Sequence, residues 1–361
     1  MTNSKKRSTG WNLDLIWLPL AAFLLILHNS IAEEAVRETL DLCARVLIPS
    51  LFPYMIISVL IIRSGAAEIL GAPLAPVVRH LFRLPACSAG AVVLGILCGF
   101  PVGAQMAGEL YIRGDLTKKE AERLIPLANC AGPAFVIEVV GGCLWNSREF
   151  GIFLYTVQLI TAWIIAAVAA RFTPKVKTEY RQTTSAVACS VPLCISEAVS
   201  TSALSMLKIC GFIAFFSVLV SSVQNLFAFL KIPGVSVFIA SLLEFTVGSK
   251  LAAETGGMIG AFLTGLTVGW SGLSVFSQCM TFTSPAGIRL RFALISKAVQ
   301  GLLCGTASAL FFPMYTAKTS VLCTASLTYD FPAWALYLEI ILLVLFCIFP
   351  LLTSLRRNIK S

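Results

Sequence analysis

The chain has 361 residues, 57% of them hydrophobic and only 12% charged. A water-soluble domain carries about 25% charged residues, so composition excludes a soluble globule and predicts an all-α polytopic membrane protein. The net charge of +9 does not indicate nucleic acid, because Lys and Arg gather at the ends of apolar segments, as membrane topology requires.

Ten apolar segments run at approximately 13–31, 46–62, 86–112, 124–144, 151–170, 204–230, 235–252, 258–281, 292–315 and 332–352. Most come close to the ~20 residues that cross hydrocarbon. The first follows Lys5, Lys6 and Arg7 and resembles a signal peptide, with Ser30-Ile31-Ala32 as a cleavage-like site. Its length and the many segments after it favour an uncleaved first helix.

The stretch 32–45 spaces Glu33, Glu34, Arg37, Glu38, Asp41 and Arg45 between apolar residues at helical intervals, which predicts a helix on the membrane surface. A second interfacial piece is predicted at 64–85, with Pro73, Pro76, Arg79 and Arg83.

Two segments carry breaks. Gly99-Phe100-Pro101-Val102-Gly103 interrupts the third, and Asn129-Cys130-Ala131-Gly132-Pro133 the fourth. Gly and Pro free backbone groups there, which hydrocarbon tolerates only where the backbone is buried in protein or lines a cavity.

The pattern returns later. Residues 100–109 align with 245–254, and five of the ten pairs are identical: Phe100/Phe245, Val102/Val247, Gly103/Gly248, Ala107/Ala252 and Glu109/Glu254. Upstream, Ser58-Val59-Leu60 matches Ser217-Val218-Leu219, and downstream Gly132 matches Gly272, in the same order.

Charge then bears on orientation. If all ten segments span, cytoplasmic loops hold thirteen Lys and Arg against eleven outside. If segments three and seven are re-entrant hairpins, the groups at 113–123 and 171–181 move inside, and the balance becomes nineteen to five. The positive-inside rule prefers the second arrangement, which makes the two copies inverted. A ten-span bundle with proline kinks is the alternative.

The expected organisation is therefore an N-terminal transmembrane and interfacial helix at 1–45 and a first repeat at 46–172 with its hairpin at 86–112. A cytoplasmic linker with an interfacial helix follows at 173–203, then a second repeat at 204–315 with its hairpin at 235–252. A C-terminal transmembrane helix and basic tail fill 316–361, giving about eight transmembrane helices plus two hairpins, with both termini cytoplasmic.

Polar residues inside such segments are functional candidates by default. Glu138, Glu244 and Gln278 stand in the two repeats, Asn129 opens the first break, and Gln105 aligns with Lys250. Together with Gly99, Pro101, Gly103, Thr246, Ser249 and Ser274 they form a candidate binding site for a small polar solute, where hairpin tips and breaks would meet. The structural readings are a Glu244–Lys250 pair and a Glu138 that bonds freed backbone groups. Glu339 is expected to serve packing.

The twelve cysteines include no Cys-x-x-Cys, and His28 and His80 are isolated, so neither a metal nor another cofactor is expected. No His/Asp/Ser grouping or phosphate-binding loop is present, and no enzyme is expected. The expected partners are the lipid bilayer and an unidentified solute, with no nucleic acid; a homo-oligomer is compatible with the sequence.

Gly99-Phe100-Pro101-Val102-Gly103-Ala104, Leu243-Glu244-Phe245-Thr246-Val247-Gly248 and Gly272-Leu273-Ser274-Val275-Phe276-Ser277-Gln278 resemble the sporulation integral membrane protein family of the YlbJ type. The resemblance covers roughly 40–315. It departs from the family pattern at Phe276, where His is frequent, and at Gln105, where Lys or Arg is common. The wider group carries a nucleoside-recognition or Gate domain, found also in concentrative nucleoside transporters and ferrous iron transporter B. What the resemblance implies is a transport-like architecture acting in spore formation, without a substrate. A non-transporting scaffold of a sporulation envelope complex is the other function it allows.

Overall fold

The computed structural model describes residues 29–64, 66–173, 191–229 and 233–315. Most of the first apolar segment, the last segment with Glu339, and residues 174–190 of the expected linker lie outside them. All regular structure among the described residues is helical.

Helix α1 (Asn29–Leu42) passes through a wide π-type turn at Cys43–Leu47 into α2 (Ile48–Arg63). Its residues Ala35, Thr39, Cys43 and Leu47 recur every four positions and are all buried. They define the face that packs on α10 (Val191–Phe229). The opposite face keeps its charges exposed, with Arg37–Glu33 at 2.8 Å and Arg45–Asp41 at 2.6 Å. The stretch expected on the membrane surface is thus also an integral packing element. The proline-rich stretch that follows forms two short helices, α3 (Ala66–Gly71) and α4 (Ala75–His80).

Runs of short helices are then separated by long ones. The short ones are α5 (Ser88–Cys98), α6 (Val102–Ile112), α7 (Lys118–Ala128), α8 (Ala134–Leu144, π-type), α11 (Pro233–Leu243) and α12 (Phe245–Thr255), each of 11 residues. At 1.5 Å per residue each is about 16 Å long, half the hydrocarbon thickness. Thr117 and Glu120 form a capping box that starts α7, and the Ser147 hydroxyl accepts from Phe150 N at 3.2 Å to start α9 (Arg148–Arg171).

Four helical stretches among the described residues are long and apolar enough to cross a membrane: Arg148–Arg171, Ile195–Asn225, Gly257–Thr283 and Arg291–Met314. A fifth is formed if Ser30–Leu47 and Leu51–Ile61, bent by 60°, count as one broken span. The chain is a multi-pass membrane protein. The third stretch comprises α13 (Gly257–Trp270) and α14 (Gly272–Thr283), and the fourth contains α15 (Arg291–Phe311).

Burial separates the inner spans from the outer ones. Within Gly257–Thr283, 78% of the most apolar stretch is buried, against 22% in Arg148–Arg171. Accordingly α9 presents Ile152, Ile160, Ile164 and Val168 outward as a lipid-facing stripe. The inner span is held by small residues. Gly265 and Gly269 on α13 face Gly301 and Gly305 on α15, each pair four residues apart. A Cβ on Gly269 would stand 2.7 Å from Gln300 O, and one on Gly305 2.9 Å from Phe262 O. The two backbones approach as closely as glycine permits, which is how helices pack tightly without a hydrophobic driving force in lipid.

Candidate functional site

Four interruptions converge. The first lies between α5 and α6 (Gly99–Phe100–Pro101), and the second between α7 and α8 (Asn129–Pro133). The third is the single residue Glu244 between α11 and α12, and the fourth the single residue Ser271 between α13 and α14. Gly99 adopts φ 76° and Gly272 φ 82°, the left-handed region that favours glycine. Space gives the same preference: a Cβ on Gly99 would stand 2.6 Å from Gly132 N, and one on Gly272 2.9 Å from Phe245 N. The first interruption therefore seats on the second, and the third on the fourth.

The two seated pairs meet around a cavity of about 30 Å³. Gly99, Phe100 and Gly132 line it from one pair; Glu244, Thr246 and Gln278 line it from the other. Phe245 closes the space, with its ring centroid 5.1 Å from Phe100 edge-on and 4.8 Å from Phe135. Such a volume admits about one water and no organic solute, whose pockets run to about 300 Å³ or more. The arrangement leaves no room for an organic solute.

Glu244 is 1% exposed, and its carboxylate accepts from Val247 N at 2.6 Å, capping α12. The helix N-terminus is a favourable place for a carboxylate. Gln278 donates to Ser274 Oγ at 3.5 Å, but its Oε1 is buried without a partner. Ser271 Oγ and Asn129 Oδ1 are likewise buried and unpartnered, while Asn129 Nδ2 lies 3.2 Å from Cys279 Sγ. Buried polar atoms are nearly always satisfied, and these three are half of the six unpartnered ones among the described residues.

The Asn129–Pro133 break is braced. Gln158 on α9 is fully buried; its Nε2 donates to Ala131 O at 3.0 Å and its Oε1 accepts from Ala131 N at 3.1 Å. One side chain thus replaces the helical partners of both backbone groups of Ala131. Gln300 on α15 donates to Gln158 O at 2.8 Å, tying the brace to the inner span.

Of the residues expected to form a site, Gly99, Glu244, Thr246 and Gln278 line the cavity. Ser274 is buried beside Gln278, and Ser249 is buried but spends its hydroxyl on Phe245 O at 2.7 Å. Pro101 precedes α6, and Gly103 packs against Ala128. Asn129 lies in the second interruption, against Cys279. Three stand apart. Glu138 pairs with Arg148 at 2.6 Å, Gln105 donates to Glu109 at 3.1 Å, and Lys250 is exposed. Glu244 and Lys250 form no ion pair with each other among the described residues.

Sequence reasoning passed over Gln158, Gln300 and Lys297. Lys297 is 1% exposed within α15, and its Nζ lies 3.8 Å from Cys130 Sγ. The rule that singled out Glu244 applies to it equally, since it is a charge inside an apolar segment. Gln158 carried only a weaker signal, a neutral polar residue in the middle of a long span.

No family model matches the chain, and no solved structure matches it. Sporulation integral membrane protein YlbJ of Bacillus subtilis (strain 168) is 27% identical over 342 residues, covering 83% of this chain and 84% of that protein. This similarity, over more than four fifths of both chains, supports a YlbJ-type family of sporulation integral membrane proteins for the chain.

Proposed function

We propose that the protein is a permease of the cell membrane that acts in spore formation and moves a small polar solute by alternating access. In this reading the chain carries two inverted Gate-type units. The first comprises α2, α5–α9 and the inserted α3 and α4; the second comprises α10–α15. The termini and the loop 113–123 face the cytoplasm. The observation that carries the reading is the cavity where three of the interruptions meet the helix that follows the fourth, with a buried carboxylate at Glu244 and an unpartnered acceptor at Gln278. Broken helices around a central polar site are how many secondary transporters bind solute. The small volume then corresponds to the closed form between openings, with Phe100, Phe135 and Phe245 as the apolar seal.

Two experiments test this. Glu244→Gln and Asn129→Ala are expected to lose complementation of a strain lacking the protein while still inserting at normal levels. Full complementation by both variants would remove the central site. A cysteine placed at Lys118, in a background without accessible native thiols, is expected to resist an impermeant reagent added to intact cells. Labelling from outside would sink the inverted arrangement.

A further inference from the structure

The seam between α1 and α10 can be followed residue by residue. Toward one end, the Ser217 hydroxyl donates to Ala35 O at 3.4 Å. Eight residues further along α1 is Cys43, and seven residues back along α10 is Cys210. At 1.5 Å per residue these steps are about 12 and 10 Å, so antiparallel packing brings the two cysteines face to face. They are 2% and 7% exposed, and their thiols share a hydrogen bond. Facing cysteines on packed helices come within the roughly 4.4–6.8 Å between Cα atoms that a disulfide spans.

The pair sits at a bend and beside the cavity. Cys43 opens the wide π-type turn, on a path bent by 60° between Ser30–Leu47 and Leu51–Ile61. Leu47 and Leu51, one and two turns further on, line the central cavity, as do Ile209 and Ile213 next to Cys210. By contrast, Cys98, Cys279 and Cys304 are engaged by Ser58, Asn129 and Thr161, at 2.7, 3.2 and 3.2 Å. Glu244 is near enough to act on Cys43 electrostatically. A metal held by two thiolates would add negative charge beside that carboxylate in an apolar wall, whereas a disulfide is neutral.

We propose that Cys43 and Cys210 form a reversible disulfide that pins the bend between α1 and α2 to α10 at the cavity wall. The oxidant is a small apolar disulfide, a class that reaches thiols buried in membrane segments. One cysteine gives up its proton and attacks the reagent, whose S–S bond breaks; one reagent thiol leaves with that proton. The other cysteine then attacks the mixed disulfide in the same way, and the second reagent thiol leaves. Two electrons and two protons thus pass from the pair to the reagent, and one S–S bond replaces another. The new bond closes a long loop of the chain, the kind of closure that stabilises most. The pair does not require that the protein transport anything, so its fate is separate from that of the permease reading.

The test treats the full-length protein in neutral detergent with 4,4′-dithiodipyridine and maps its peptides without reduction. Expected for the wild type are linked peptides carrying Cys43 and Cys210 and a rise in Tm of several degrees, both reversed by a phosphine reductant. Cys210→Ala is expected to show neither the link nor the rise, and to leave Cys43 as the mixed disulfide. A wild type in which the linked peptides do not form overturns the pair. Linkage without a rise in Tm overturns the pinning. So does an equal rise in Cys210→Ala or, should that variant not fold, in Cys43→Ala.

Discussion

The two interruptions on the long helical paths are held in opposite ways. At Asn129–Pro133, five residues leave the helix, and Gln158 takes both backbone polar groups of Ala131 while Gln300 holds Gln158. At Ser271–Gly272, two residues with φ 75° and 82° turn the chain, and among the described residues no side chain hydrogen-bonds their backbone. There Ser271 Oγ and Gln278 Oε1 are buried without partners. A long break is made rigid by added hydrogen bonds, whereas a short one keeps spare hydrogen-bonding capacity at the cavity. The first behaves as scaffold; the second is where a ligand has most to gain.

The largest effect should come from removing the brace. Gln158→Leu keeps the side-chain size and leaves the Ala131 N–H and C=O buried and unpaired. At about 1–3 kcal/mol for each group, the expected loss is about 2–6 kcal/mol, read as a lower Tm in detergent. Ser271→Ala at the other break removes an atom that has no partner and should change stability by less than about 1 kcal/mol, while still impairing complementation. Equal losses from the two variants would erase the contrast between the breaks.

The contrast also shows what the sequence disclosed. The breaks at Gly99–Gly103 and Asn129–Pro133 were legible because Gly, Pro and Asn stand out in apolar runs, and Phe100-to-Glu109 against Phe245-to-Glu254 shows one pattern twice; the turn at Ser271 was marked only by the match of Gly132 to Gly272. The seating of Gly99 on Gly132 was not legible, because pattern says that a helix breaks and not what fills the gap. The brace was hidden for a related reason: Gln158 lies 27 residues from Ala131 and carries no charge. Packing of α1 on α10 links positions as far apart as Ala35 and Ser217, whose hydroxyl donates to Ala35 O at 3.4 Å. An amphipathic stripe reads the same whether it faces lipid headgroups or another helix. The partner of Glu138 was not legible either, because Arg148 lies ten residues on, across the turn into α9.

Smaller effects should follow at the seat of the second break. Gly272→Ala forces a Cβ into the left-handed region, which costs about 1–2 kcal/mol. The methyl also meets Phe245 N at 2.9 Å, so the turn must shift and carry Glu244 with it. The variant is therefore expected to lose complementation more completely than its fall in Tm explains. A fall in Tm with function retained would make this seat a packing contact only.

The smallest change is expected at the pair outside the cavity. Glu138 and Arg148 bond at 2.6 Å, but their side chains are 33% and 65% exposed. An exposed pair of this kind contributes about 0–1 kcal/mol. Glu138→Gln should leave both Tm and complementation near the wild type, whereas Glu244→Gln, equally conservative but at a fully buried cap, should lose complementation. The two substitutions exchange the same atoms in two carboxylates of the same apolar chain. If both abolish complementation, charge along the whole path matters and the cavity loses its privileged place. If Glu244→Gln alone does, function resides at the cavity.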